Sequence, residues 1–302
     1  ARIVDVTPTR VRQALDEGAV AIVAGFQGFN VDSKDITTLG RGGSDTTAVA
    51  LAAVLGADVC EICTDVDGVF SADPRVVPAA RKLDDVSYEE MLELAASGAK
   101  VLHIRAVEFA RRHGVRLYVR SSFSDAPGTW IGSREGDQVE EPVITGVAGD
   151  VSDAKITVVG VPDIPGKAAE IFTIVADAGA NIDMIVQNTS VHQSGATDIS
   201  FTLPKEVGAK ALEALSARQA DTGFDSLSLD DGIAKLSVVG AGMRTNAGVS
   251  AQLFQALSNA GINIEMISTS EIRISVVMRA EVLPEALRAV HTAFGLDGDG
   301  EA

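Results

Sequence analysis

The chain has 302 residues, 46% hydrophobic and only 4% aromatic, with 25 Lys and Arg against 42 Asp and Glu and a formal net charge of −17. That length and apolar content suit two or three domains with cores of their own. The acidic balance disfavours a nucleic-acid binder, which carries a basic face. No apolar run reaches the ~18 residues of a membrane span, and no signal segment opens the chain. A cytoplasmic protein with neither nucleic acid nor membrane as partner is the default expectation.

In chain order, residues 3–6 read as a strand, 9–18 as a short helix and 20–25 as a buried strand. Next comes Thr37-Thr38-Leu39-Gly40-Arg41-Gly42-Gly43-Ser44-Asp45, followed by an alanine-rich helical run over 46–55. Glycines let the backbone turn sharply and approach a ligand closely. A helix starting at such a turn points free N–H groups and its positive dipole end outward, which makes an anion site. Arg41 adds a planar fork suited to carboxylate or phosphate.

Residues 58–64 read as a strand holding Cys60 and Cys63. Residues three apart in a strand point to opposite faces, so the C-x-x-C spacing is read as packing rather than a redox or zinc site. His103, His113, His192 and His291 do not cluster, and no resident metal is assigned. The acidic turn Asp65-Val66-Asp67-Gly68 and the segment 69–75 follow. A helix starts at Ser87 through a Ser-Tyr-Glu-Glu capping box with Glu90 and ends near Gly98. A further helix covers about 101–112 and stops at Gly114, and 115–119 reads as a strand. Short strands alternating with helices indicate an α/β layered domain on a mostly parallel sheet.

Periodicity is lost from 125 to 141, where Pro127, Gly128, Gly132, Gly136 and Pro142 mark a linker. Beyond it lies a repeat. Lys155-Ile-Thr-Val-Val-Gly160 matches Lys235-Leu-Ser-Val-Val-Gly240, and Asn181-Ile-Asp-Met-Ile185 matches Asn263-Ile-Glu-Met-Ile267. Helices at about 165–178 and 246–260 precede the Asn-Ile strands, giving a duplicated small α+β unit.

The ordered motifs Thr38–Asp45, Thr64-Asp-Val-Asp-Gly68, Ala72-Asp-Pro-Arg75 and Gly98-Ala-Lys-Val-Leu102, with the duplicated tail, resemble the aspartate kinase family in its actinobacterial form. The resemblance implies an amino-acid-kinase-type α/β/α layered domain, C-terminal part (1–134), a linker (135–142), and two ACT-like α+β (βαββαβ) domains at 143–230 and 231–302. The family phosphorylates the side-chain carboxylate of L-aspartate with ATP and Mg²⁺, giving 4-phospho-L-aspartate for lysine, threonine and methionine biosynthesis. Carried over, Arg41 clamps a substrate carboxylate, Asp45 pairs with the substrate ammonium, and Gly42, Gly43 and Ser44 line the aspartate site. Thr64 and Asp65 bind nucleotide, Phe70, Ser71, Ala72, Asp73, Pro74 and Arg75 border the adenine and phosphates, and Lys100 neutralises charge on the transferring phosphoryl group.

For the tail, the resemblance implies amino-acid effectors, lysine and threonine, and a homo-oligomer through the ACT domains. Asn181, Ile182, Asp183, Met184 and Gln187 match one effector segment, and Asn263, Ile264, Thr269, Ser270 and Glu271 the other. Ile182, Met184, Ile264 and Met266 equally suit alternate core positions, which leaves Asp183 and Gln187 as the polar candidates. The family's N-terminal Lys-x-Gly-Gly loop does not occur in this sequence. The expectation is an incomplete kinase portion with little activity by itself. The alternatives are a non-catalytic ACT amino-acid sensor and another amino-acid-kinase relative.

Overall fold

The computed structural model describes residues 3–133, 143–189 and 195–298; the expected linker at 135–142 and His192 lie outside the described residues. The chain opens with α1 (Thr9–Asp16), which buries no residue, and with a hairpin of β1 (Gln27–Phe29) and β2 (Ile36–Thr38). The strands expected at 3–6 and 20–25 do not form. Val4, Val20 and Ile22 are 94%, 90% and 96% exposed. A strand exists by pairing, and no described strand lies beside these residues, so their apolar side chains enter neither ladder nor core.

Then follow α2 (Gly43–Leu55), β3 (Cys60–Thr64), β4 (Asp85–Ser87), α3 (Tyr88–Ala96), α4 (Ile104–His113), β5 (Leu117–Ser121) and β6 (Thr129–Gly132). The sheet runs β3-β5-β6-β4. Its outer pairs are parallel and its central β5–β6 pair antiparallel, so the sheet is mixed. Val49, Met91, Ala106, Val107, Ala110, Leu117, Val119 and Ile131 have no exposure and form its core. Local signals set the helix ends. Ser87 Oγ accepts from the Glu90 N–H at 3.2 Å while Glu90 Oε2 accepts from the Ser87 N–H at 3.1 Å, the reciprocal capping box. The next helix starts at Ile104, later than the expected 101, because His103 is its N-cap, and Gly114 ends it in the left-handed region at φ 65°.

The second half contains β7 (Gly146–Asp150), β8 (Asp153–Pro162), α5 (Lys167–Asp177), β9 (Ile185–Thr189), β10 (Ala196–Pro204), α6 (Lys205–Ala217), α7 (Gln219–Thr222) and β11 (Ser226–Asp230). After them come β12 (Ile233–Val239), α8 (Val249–Asn259), β13 (Met266–Thr269), β14 (Arg273–Arg279) and α9 (Leu283–Ala293). Two antiparallel sheets result, β11-β8-β10-β9 and β7-β12-β14-β13. Division at residue 143 assigns β7 to the first repeat. Its hydrogen bonds run instead to β12, pairing Val238 with Val147 and Leu236 with Gly149. Thus β7 occupies beside β12 the place that β11 holds beside β8. The first ACT-like unit is inserted between the fourth strand of the second unit and the rest of it.

Charge joins the two units. Lys235 of β12, 3% exposed in its side chain, pairs with Asp183 of the first unit and with Asp153 at 3.2 Å. Burial pulls the Lys235 ammonium toward deprotonation, but the two carboxylates outweigh it and its pKa is raised. Burial is also the main cause that raises Asp153, against the pull of Lys235. Lys155 pairs with Glu265 alongside, and Met184, Ile233, Met266 and Val277 fill the seam. Removing one partner of a buried pair strands the other charge. Lys235→Met is expected to cost about 3 kcal/mol in chemical denaturation at neutral pH, the low end for such pairs because Asp183 still reaches water. A raised lysine pKa contributes stability that is complete below the unfolded value of about 10.4 and is lost as pH rises through the folded value. The wild-type melting temperature therefore falls more steeply above that pH than the variant's. Equal melting curves at neutral pH would remove Lys235 from its role.

Candidate functional site

β2 delivers the chain into the glycine turn. Gly40 and Gly42 have φ of 81° and 69°, a region costly for residues with a side chain. At Gly42 there is a second reason: an added Cβ would overlap the ring of His103. Gly42 is the N-cap of α2, and no side chain caps that helix. Asp45 sits in the first turn without capping it; its hydrogen bond is from Ser44 Oγ at 3.5 Å. The Thr46 and Thr47 hydroxyls donate back to the Gly42 and Gly43 carbonyls at 2.9 and 2.7 Å, fixing the turn from inside. Arg41 and Ser44 stand exposed. From α4, Arg105 donates to the Leu39 carbonyl at 3.1 Å. His103 and Arg105 thus shape the loop, a role that sequence reasoning missed and that an unusual histidine N-cap signals only faintly. Burial, with the Asp45 charge added, pushes the Cys60 thiol up to about 11. Cys60 packs as expected, whereas Cys63, on the opposite face, is exposed.

A second group of charges lies at the end of β3. Thr64 Oγ1 donates to Asp65 Oδ1 at 3.2 Å. Asp73 grips Arg75 with both oxygens, at 3.0 and 2.7 Å. That bond holds the Asp73 carboxyl below the usual carboxylate range, and Lys100 adds to the effect. Arg75 is held protonated by Asp73 first, with Asp65 contributing. Asp65, Asp73, Arg75 and Lys100 therefore share one electrostatic neighbourhood, and all four are exposed. The α3–α4 connection carries Lys100 into this group and His103 under Gly42, so one short stretch touches both clusters.

Not every expected residue faces that opening. Pro74 is exposed and Phe70 half-buried, bridged to Lys82. Ser71 and Ala72 are buried, and the Ser71 hydroxyl bonds His291 of α9 at 2.8 Å. Ser71 has no side-chain atom free for a nucleotide.

In the first ACT-like unit a cleft of about 330 Å³ lies between residues 161–168, at the start of α5, and Gln187, Thr197 and Ile199. Gln187 is there; Asn181, Ile182, Asp183 and Met184 are not among its walls. Asn181 is exposed, Ile182 joins the unit's core, Met184 is buried in the seam, and the Asp183 carboxylate is engaged by Lys235. In the second unit Asn263 is exposed, Ile264 packs on the core, and Thr269 is exposed on β13. The Ser270 N–H closes a turn on the Arg273 carbonyl at 2.8 Å, and Glu271 pairs with Arg244 at 3.6 Å. None of these five lines the second cleft, about 570 Å³, where Asn246, Gly248 and Gln252 meet Arg81 of the first domain. Among the described residues no helix is long and apolar enough to cross a membrane.

Comparison with known proteins agrees with this layout. The amino acid kinase family profile matches residues 1–121, and the ACT domain profile matches 156–219 and 236–294. The aspartokinase of Mycolicibacterium smegmatis is 60% identical over 303 residues, spanning 100% of this chain and 72% of that protein. Escherichia coli aspartokinase III in complex with aspartate and ADP, in its R-state, superimposes with a TM-score of 0.79 at 29% identity, over 94% of this chain and 62% of that one. The same enzyme in complex with lysine and aspartate, in its T-state, gives 0.72 at 29% identity, over 95% of this chain and 62% of that one. This chain thus spans less than two thirds of the E. coli enzyme. The chain belongs to the aspartokinase family, with an amino acid kinase region followed by ACT domains in tandem.

Proposed function

We propose that this chain takes part in moving the γ-phosphoryl group of ATP onto the side-chain carboxylate of L-aspartate, giving 4-phospho-L-aspartate. The observation that carries this is the α3–α4 connection, which sets Lys100 within electrostatic reach of Asp73, the partner of Arg75, while His103 seats the Arg41–Asp45 turn. An aspartate-sized zwitterion needs a cationic fork and a carboxylate near each other, and Arg41 and Asp45 supply them at an uncapped helix start. The exposed Arg75–Asp73 pair is weak in water, so a phosphate can draw Arg75 away from it. Thr64, Asp65 and residues 70–75 form the nucleotide side; Ser71, whose hydroxyl, N–H and carbonyl are all bonded within the fold, supports that segment rather than touching the nucleotide.

The donor set fits ATP: two exposed cations beside a carboxylate turn. ATP supplies the transferable phosphoryl group, and this chain's residues orient it and neutralise charge, which is most of what phosphoryl transfer requires. Mg²⁺ arrives with the nucleotide. Among the described residues no three His, Cys, Asp or Glu side chains gather to hold a metal, and Mg²⁺ is ordinarily shared between one or two carboxylates and substrate phosphates.

The cleft at Gln187 is the effector site in this reading, taking lysine, threonine or both. Gly166 caps α5 there without a side-chain bond, leaving N–H groups for an α-carboxylate. The exposed edge strands β9 and β13, with Ile185 and Ile267 53% and 44% exposed, suit pairing in a homo-oligomer.

An aspartate-dependent hydroxamate assay with ATP tests the catalytic reading. Arg41→Ala is expected to raise KM for aspartate at least 10-fold with little change for ATP, and Lys100→Ala to lower kcat by about 10²–10³. Wild-type kinetics in both variants would overturn the assignment. Calorimetric titration with L-lysine and L-threonine tests the effector reading: Gln187→Ala is expected to weaken binding about 10-fold, as loss of one hydrogen bond to a charged ligand group does. Absence of heat with either amino acid in the wild type would count against the site.

A further inference from the structure

The segment that borders the proposed nucleotide site is held from outside the kinase region. Ser71 and His291 both have no exposure. The Arg81 N–H donates to Ser71 Oγ at 3.0 Å, Ser71 Oγ lies 2.8 Å from His291 Nε2, and His291 Nδ1 lies 2.8 Å from Asp297 Oδ1. A carboxylate accepts, so Nδ1–H donates to Asp297; in the neutral imidazole Nε2 then accepts from the Ser71 hydroxyl, whose lone pair takes the Arg81 N–H. Donors and acceptors run in one direction along the whole chain of bonds.

Three further ties fix the same place. The Ser71 carbonyl accepts from the Val147 N–H of β7 at 2.7 Å. Ala80 bridges to Asp297, and the Gly298 N–H donates to the Ala79 carbonyl at 2.8 Å. Asp297 also accepts from Thr292 Oγ1 at 3.3 Å. The order Ser–His–Asp has the form of a nucleophilic triad. Burial excludes that use, because no substrate carbonyl reaches a hydroxyl and an imidazole with no exposed surface.

We propose that His291 is a positioning residue for the nucleotide side of the kinase site, acting through Ser71. Ser71 stands two residues before Asp73, whose carbonyl accepts the Val76 and Val77 N–H groups at 3.0 and 2.9 Å and whose carboxylate holds Arg75. The turn that presents Arg75 therefore starts from a residue clamped by α9 and β7 of the second ACT-like unit. Without His291 the Ser71 hydroxyl is a buried donor with nothing to receive it, a cost relieved by moving the segment. The inference rests on residues 70–75 bordering the nucleotide.

The test uses this chain with MgADP as the probe, read by calorimetry, and amide hydrogen exchange over residues 69–83. His291→Ala and Ser71→Ala are each expected to weaken MgADP at least 10-fold and speed exchange in 69–83, leaving exchange in α2 and the β8–β10 sheet unchanged. The double variant binds within about 2-fold of the weaker single one, and His291→Gln, which keeps a polar atom near Nε2, recovers most of the affinity. Should His291→Ala unfold the chain, Ser71→Ala decides by the same two readouts. Wild-type affinity and exchange in Ser71→Ala, or exchange raised throughout the chain rather than in 69–83, would overturn the proposal. A wild type that binds no MgADP sinks the nucleotide reading itself, and this inference with it.

Discussion

Glu90 is a carboxylate with no exposure to water, and its bonds join three parts of the chain. One oxygen accepts from both the Ser87 N–H and the Ser87 hydroxyl, completing the start of α3. The other accepts from Thr145 Oγ1, just before β7, and from the Ala241 N–H, just after β12, at 3.3 Å. A buried carboxyl group is tolerated when it is this fully bonded and is costly otherwise. Around it the same seam is closed by Glu93 with Arg273 at 3.0 Å and by Gly98, whose added Cβ would overlap the Gly149 carbonyl. The α3–α4 connection that carries Lys100 and His103 begins at that contact.

The kinase region therefore rests on the second ACT-like unit, while the cleft proposed for effectors lies in the first. The two units meet at Lys235, Lys155–Glu265 and the small apolar seam around Met184 and Met266. Those contacts, then Glu90 and Ser71, are the bonds whose free energy an effector has to alter if it is to act on the kinase site. Regulation is a difference in effector affinity between two global states, and the seam is the contact through which the first unit reaches the second. The inserted topology strengthens this view. Because β7 leaves the kinase region, pairs with β12, and only then leads into the first unit, both connections of the first unit pass through the second unit's sheet.

What was legible in the sequence was local. The Ser87–Glu90 capping box, the stop at Gly114, the glycine turn before α2 and the helix of each repeat need a few neighbouring residues to form, and each appears within about three residues of its expected place. Pairing was not legible. Residues 3–6 and 20–25 have strand-forming composition but nothing described to pair with, and residues 146–150, rich in glycine, gave no sign that their partner would be β12. The same limit applied at the site. The order of motifs pointed to Arg41, Asp65, Arg75 and Lys100, whose side chains are exposed, and to the half-buried Asp45. It could not reveal that Ser71 and Asp183 are consumed by His291 and Lys235, residues 220 and 52 positions away.

On the proposed reading, the effector cleft and the nucleotide site are coupled through the Glu90 seam. The most direct measurement is the MgADP affinity of the chain with and without saturating L-lysine, in the wild type and in Glu90→Gln. The account predicts a shift of about 5-fold or more in the wild type, matched by an equal shift of lysine affinity when MgADP is present, and a factor near one in Glu90→Gln. A wild-type factor of one, or a factor that survives intact in Glu90→Gln, would contradict it.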